Sequence, residues 1–132
     1  MRPRLNGDIL KAFKKLTKPE RRLLIIGDVH APYSKKGYRE FCQKCYVENN
    51  CNQVLFIGDL LDNQYASFHD PNPDLSGGKD ELEHAIAEIH KWHDTFPIAD
   101  VIIGNHDRII ARKLFKAGVP RQWMKSYNEV LG

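Results

Sequence analysis

The chain has 132 residues, of which 42% are hydrophobic and 28% are charged, and its formal net charge is +3 at neutral pH. This length suits one globular domain with a real core, although it is small for an enzyme built on two packed sheets. The apolar run at residues 23–26 is far too short for a secretory signal or a membrane span, so we expect a cytoplasmic protein.

The first 22 residues form a separate basic segment. They contain eight lysine and arginine side chains against two acidic ones, so about +6 of charge lies there and about −3 on residues 23–132. Ile9, Phe13 and Leu16 recur at helical spacing before Pro19, which predicts a short amphipathic helix. We favour a solvated helix packed by its apolar edge, and contact with nucleic-acid phosphates is the alternative. The predicted domains are therefore residues 1–22 and 23–132.

Short apolar runs then alternate with longer helical patterns. We predict strands at residues 23–26, 53–57 and 100–103, and helices at residues 36–49, 80–93 and about 107–117. This βαβαβ order predicts an α/β fold in which parallel strands are joined by right-handed crossovers. The carboxyl ends of the three strands should therefore meet at one edge of the sheet.

The predicted helix at residues 80–93 carries two signals. Asp80 and Glu83 resemble a capping box at its start. One face is formed by Leu82, Ala85, Ile86, Ile89 and His93. We expect this face to pack on the sheet.

The predicted helix at residues 36–49 carries a stripe that includes cysteine. The stripe consists of Tyr38, Phe41, Cys42, Cys45 and Tyr46. The pair Cys42-x-x-Cys45 is also half of a zinc site, but no second Cys or His pair stands at matching spacing. We therefore interpret the cysteines as small core residues.

A long connection at residues 63–79 is rich in Asp, Pro, Ser and Gly. A loop of this length without regular structure is unusual unless it has a function. Because it leaves the edge where the strand ends meet, Tyr65, Ser67 and His69 either border a substrate or belong to a mobile, solvated loop.

Three polar clusters follow the three predicted strands, and each begins with a glycine. They are Gly27-Asp28-Val29-His30, Gly58-Asp59-Leu60-Leu61-Asp62 and Gly104-Asn105-His106-Asp107. Glycine permits a tight turn and a close backbone approach, and open α/β sheets bind ligands in the crevice beyond their strand ends. The carboxylates, imidazoles and amide suit metal ions, so the clusters together predict a two-metal phosphoesterase site.

Four of these residues are predicted metal ligands. Asp28 and His30 are two residues apart, so in an extended segment both side chains point the same way and grip one cation. Asp59 has two carboxylate oxygens with which to bridge two cations. Asn105 adds an amide oxygen without further negative charge.

The remaining residues of the clusters are predicted to serve proton transfer and positioning. His106 protonates the departing oxygen of the ester. Asp107 is expected to orient His106 and to stabilise its charge. Asp62 is expected to contact a ligand residue or the loop and hold it in position, and not to bind the metal itself.

The motifs Asp28-x-His30, Gly58-Asp59-x-x-Asp62 and Gly104-Asn105-His106-Asp107 resemble the first three motifs of the calcineurin-like metallophosphoesterase superfamily, and the chain looks similar to its small bacteriophage and bacterial members. The resemblance implies the first half of an αββα sandwich and hydrolysis of phosphomonoesters or phosphodiesters. It implies one or two divalent ions (manganese, iron, zinc, nickel or cobalt), the first bound by Asp28, His30 and Asp59, the second by Asp59 and Asn105. His106 would be the acid, and a bacteriophage origin would place the protein in the host cytoplasm.

The same resemblance implies further histidine motifs on a second sheet. This sequence has no histidine after His106, and of the earlier ones only His69 is near the site, since His84, His90 and His93 fall on a helix. We therefore expect a partner polypeptide or a C-terminal half to complete the site. A second copy, another polypeptide, or altered packing of the N-terminal helix and residues 121–131 is expected to cover the open apolar sheet face. The alternatives are a catalytically incomplete metal-binding or assembly subunit and a nucleic-acid-directed phosphodiesterase.

Overall fold

The computed structural model describes residues 20–75 and 77–132. The predicted amphipathic helix with Ile9, Phe13 and Leu16 lies outside the described residues. The division into residues 1–22 and 23–132 stays a prediction.

A parallel sheet of three strands forms the centre of the described chain. The strands are β1 (Leu23–Ile26), β2 (Gln53–Phe56) and β3 (Asp100–Val101), in the order β1-β2-β3. β1 pairs with β2 over four residues, with Ile26 opposite Phe56, and β2 pairs with β3 over two. The α/β fold with parallel strands is therefore confirmed. β3 is shorter than predicted because the chain turns at Gly104 to meet the end of β2.

Within the described residues, four helices and two short 3-10 turns connect and flank the strands. The helices are α1 (Tyr38–Glu48), α2 (Gly78–Thr95), α3 (Ile109–Lys116) and α4 (Tyr127–Leu131), and the 3-10 turns are Gln64–Ala66 and Arg121–Trp123. None of the helices between residues 20 and 132 that the structure describes combines the length and apolar character that a membrane crossing requires.

One face of the sheet and helices α1 and α2 enclose the core. Phe56 on β2 meets Trp92 of α2 edge-on at 5.8 Å between ring centroids, and Trp92 stacks on Phe96 at 6.4 Å. Cys42 of α1 is buried in the same cluster, and burial raises the pKa of its thiol. The core position of Cys42 agrees with its predicted packing role, whereas Phe41 of the predicted stripe is exposed.

Helix α2 begins earlier than predicted, and only part of its predicted face packs on the core, with Ala85 and Ile89 in contact with it. Its first residue is Gly78 and no side chain caps it, so the predicted capping box of Asp80 and Glu83 is wrong. The reason is that the amide of Glu81 bonds to the carbonyl of Gly77 at 2.9 Å, which places the first turn before Asp80. The buried residues are Glu81, Ala85 and Trp92, while the predicted His93 is exposed.

The second face of the sheet is apolar and exposed. Three large aliphatic residues on or directly after β1 and β2 are between 45% and 56% exposed on this face: Leu23, Ile25 and Ile57. Along β1 exposed Leu23 and Ile25 alternate with less exposed Leu24 and buried Ile26, as expected of a strand with one face on the core. The identity of any covering chain stays a prediction.

Candidate metal centre

The ends of the three strands converge, because hydrogen bonds join the turns that follow them. The amide of His30, beyond β1, donates to the carbonyl of Asp59 at 2.9 Å. The amide of His106, beyond β3, donates to a carboxylate oxygen of Asp59 at 2.9 Å. The turn after β2 thus lies between the other two and is bonded to both.

Asp28, His30 and Asp59 form a group with the geometry of a metal site. One ligand atom from each lies within 4.8 Å of the others. The Nε2 of His30 is 3.7 Å from a carboxylate oxygen of Asp28, and the side chain of Asp28 is open to solvent. Two carboxylates and one imidazole are ligands that divalent transition-metal ions accept, so the donor set fits such an ion.

The backbone of all three ligand residues lies in the left-handed region, so the extended segment predicted for Asp28 and His30 is wrong. The φ angles are 49° at Asp28, 49° at His30 and 54° at Asp59. Few non-glycine residues adopt this conformation, and it costs about 1–3 kcal/mol at each position. Conformational strain of this kind concentrates at functional sites, where the surrounding structure holds the residues in place.

Asp62 holds the imidazole of His30. A carboxylate oxygen of Asp62 lies 2.8 Å from the Nδ1 of His30. If Nδ1 carries the proton, Nε2 keeps its lone pair for a metal ion, and the carboxylate fixes the orientation of the ring. This contact is of the kind expected of a residue behind the ligands.

His106 lies beside His30. The two rings meet edge-on with centroids 4.7 Å apart. The Nδ1 of His106 is 2.7 Å from the backbone carbonyl of Asp62, to which it donates. His30, Asp62 and His106 also form a second group of ligand atoms within 4.8 Å of one another. Because Nδ1 is engaged, Nε2 of His106 is the nitrogen left for proton transfer.

Asp107 does not orient His106, contrary to our prediction. One carboxylate oxygen of Asp107 accepts from the amides of Asp59 and Gly104, both at 2.8 Å. The other accepts from the amide of Leu61 at 3.0 Å and from the Tyr127 hydroxyl at 2.7 Å. Asp107 is buried, and its role is to tie the turns after β2 and β3 to helix α4.

Asn105 occupies an exposed position in the turn after β3. Its backbone carbonyl accepts from the amide of Arg108 at 3.2 Å. It precedes His106, whose amide is bonded to Asp59, so the chain places Asn105 at the same edge as the ligand group.

Two of the three cluster glycines make the convergence possible. Gly58 has a φ of 105°, and a Cβ there would lie 2.7 Å from the backbone of Gly104. A Cβ on Gly104 would collide with the backbone and carboxylate of Asp59. At these positions the close backbone approach predicted from the sequence is a property of the site.

The loop residues Tyr65 and His69 contact other parts of the loop and the start of α2. The ring of Tyr65 rests on Gly78, and burial raises the pKa of its hydroxyl. His69 is exposed, and its amide donates to the hydroxyl of Ser67 at 3.1 Å. His69 is not in either group of ligand atoms found among the described residues, and the position of the loop beside a substrate stays a prediction.

Sequence reasoning missed two residues that support the site, Glu81 and Tyr127. Buried Glu81 accepts from the amide of Gln64 at 2.9 Å and so anchors the start of the loop to α2. Burial raises the pKa of Glu81. Its position one turn before Ala85 on the buried face was the available signal. Burial raises the pKa of the Tyr127 hydroxyl, and its hydrogen bond to Asp107 raises it further. No motif or residue spacing in the sequence indicated a role for Tyr127.

Comparison with known proteins gives one match. The model of the family described as calcineurin-like phosphoesterase matches residues 21–131. No curated protein and no solved structure gives a match. The matched range includes the sheet, the three clusters and helices α1 to α4. The chain is therefore a member of the calcineurin-like phosphoesterase family.

Proposed function

We propose that this protein hydrolyses phosphomonoesters or phosphodiesters at the Asp28, His30 and Asp59 group, with His106 as the proton donor. The observation that carries this proposal is the approach of three ligand residues to within 4.8 Å beside a histidine with one free ring nitrogen. A divalent cation bound there would supply Lewis acidity and an activated water.

The chain's own residues supply the remaining parts of the reaction. Asp62 fixes His30 through Nδ1 and fixes His106 through its backbone carbonyl, so one residue positions both imidazoles. Because Nδ1 of His106 donates to that carbonyl, the form of His106 that acts as the acid carries protons on both ring nitrogens, and the one on Nε2 passes to the departing oxygen. General acids of this kind contribute about 10²–10⁴-fold to rates.

A second cation would take Asp59 and Asn105 from this chain. We propose that its further ligands come from a partner polypeptide or from a C-terminal half, since no histidine follows His106 in the printed sequence. We also propose manganese as the first metal to test and the cytoplasm as the location. Family membership and the donor set support a divalent metal.

The test is hydrolysis of an aryl phosphomonoester and an aryl phosphodiester with excess Mn²⁺. We expect His106→Ala to lower kcat by about 10²–10⁴-fold. His93→Ala, on the exposed side of α2, is the matched control and should keep the activity. Absence of hydrolysis by the native chain, or equal activity of the two variants, would contradict the proposal for this chain.

An assembly subunit is the second candidate function, and the exposed aliphatic sheet face favours it. Contiguous apolar surface of this kind marks association sites in soluble proteins. The expected result is a stable dimer or larger species in light scattering. A stable metal-free monomer would count against it.

A further inference from the structure

We propose that a basic surface next to the metal centre binds the phosphate backbone of single-stranded nucleic acid and presents one phosphodiester to the site. The surface consists of Phe68 and three side chains of α3, Arg112, Lys113 and Lys116, and we call it the α3 surface. The proposal rests on the proposed hydrolysis, and it names a polymeric phosphodiester as the substrate class.

The charge of this region is strongly one-sided. Residues 108–128 contain six lysine and arginine side chains and no aspartate or glutamate. Elsewhere in the described chain, lysines of α1 and α2 are paired, as in Lys44 with Glu48 and Lys79 with Glu83, both at 3.7 Å. Within residues 20–75 and 77–132 no carboxylate lies within ion-pair distance of the three cations of the α3 surface. Their charge is therefore available to a ligand.

The three cations gather around one aromatic ring. The distances to the centroid of the Phe68 ring are 4.9 Å from the Arg112 guanidinium carbon, 5.2 Å from the Lys113 Nζ and 4.8 Å from the Lys116 Nζ. Like charges at such spacing repel one another, and attraction to the ring partly offsets that repulsion. A bound polyanion would offset the remaining repulsion among the three cations.

Two chain segments connect the α3 surface to the metal centre. The loop that carries Phe68 leaves the site at Asp62, and α3 begins three residues after His106. Lys113 ties the two by donating from Nζ to the carbonyl of Ser67 at 3.0 Å. Lys116 lies seven residues along α3 from Ile109, which is about 10 Å of helix. A ligand in contact with both the centre and Lys116 must therefore be longer than one phosphate group.

Exposed aromatic rings in the same basic segment favour nucleic acid over an acidic protein. Phe115 of α3 is 67% exposed and Trp123 is 81% exposed. Aromatic side chains among cations bind single strands because every base offers a face for stacking. The carboxylates of an acidic peptide would pair with the basic side chains, but they offer no surface on which these aromatic rings could stack.

The test measures binding without hydrolysis. Fluorescence anisotropy of a labelled oligothymidylate of about 15 nucleotides is recorded in EDTA over about 50–200 mM salt. We expect the double variant Arg112→Gln/Lys116→Gln to bind roughly tenfold more weakly, and to lower the slope of log affinity against log salt by about 1.4, or about 0.7 for each lost phosphate contact. Lys44→Gln/Lys79→Gln removes the same charge elsewhere and is the matched control.

Two further measurements make the outcome decisive. Arg112→Lys/Lys116→Arg keeps both charges and should restore the salt slope. A polyglutamate peptide of equal charge should compete poorly. The proposal is overturned if the native chain does not bind the oligonucleotide, if the glutamine and control variants bind alike, or if polyglutamate competes equally well. Because EDTA removes the metal, failure here is independent of the aryl phosphate assay that tests hydrolysis itself.

Discussion

Changing Asp107 to asparagine keeps the shape of the side chain but replaces one acceptor oxygen with a donor group. In the native protein the two oxygens accept from three backbone amides and one hydroxyl. The amide group of Asn cannot serve all four. In the orientation that costs less free energy, the side-chain nitrogen lies beside the Tyr127 hydroxyl. That hydroxyl rotates to accept a hydrogen bond from the nitrogen, while the backbone amide of Leu61 loses its acceptor.

The cost of Asp107→Asn follows from these bonds. A buried amide without an acceptor costs about 1–3 kcal/mol. The bonds to Asp59 and Gly104 lose their charge assistance, about 1 kcal/mol each. We therefore expect the free energy of unfolding to fall by about 3–5 kcal/mol, which is a large part of the stability of a domain of this size.

The assay is urea unfolding followed by circular dichroism, in EDTA so that metal binding does not contribute. Asp70→Asn, in the exposed loop, is the matched control and should change stability by less than about 0.5 kcal/mol. If Asp107→Asn is as stable as the native chain, the assignment of Asp107 as the tie between the turns is refuted.

Three other substitutions test the supports of the site. Asp62→Asn should weaken Mn²⁺ binding by about 10–100-fold in calorimetry, because the imidazole of His30 loses the carboxylate that orients it. Unchanged affinity would contradict this role of Asp62. Gly104→Ala should lower the free energy of unfolding by about 1–3 kcal/mol, since the added methyl collides with Asp59; native stability would count against the close approach. Burial raises the folded-state pKa of Glu81 above 4.5, so its protonation stabilises the fold below about that pH and this contribution is lost as pH rises through the raised value. Glu81→Gln should flatten the fall in stability that begins as pH rises above about 4.5, and an unchanged pH dependence would argue against the buried carboxyl group.

The fold was predictable because its signals are local and repeat. Apolar runs such as residues 23–26 and 53–57 are separated by amphipathic helices, and parallel connection then brings the strand ends together. The meeting of Asp28, His30 and Asp59 follows from that topology. The bounds of β3 and the start of α2 did not follow, because they depend on the approach of Gly104 to Asp59 and on the turn at Gly77.

Roles that depend on side-chain partners were less predictable. Asp107 follows His106 in sequence, so adjacency favoured a contact between them, yet neighbouring residues in a turn point apart. Its partners Leu61 and Tyr127 are 46 and 20 residues away. The α3 surface was also not predicted. The net charge of residues 23–132 sums a basic segment and an acidic one, so it does not indicate where the positive charge is concentrated.

Mn²⁺ binding to paired carboxylate variants tests the central claim most directly. Asp28→Asn/Asp59→Asn removes two ligands of the proposed centre, and Asp70→Asn/Asp74→Asn removes the same charge from the exposed loop. In isothermal titration calorimetry, we predict that the native chain and the loop variant bind Mn²⁺ with similar affinity and that the centre variant loses binding. Equal binding by the centre variant, or no binding by the native chain, would contradict the account.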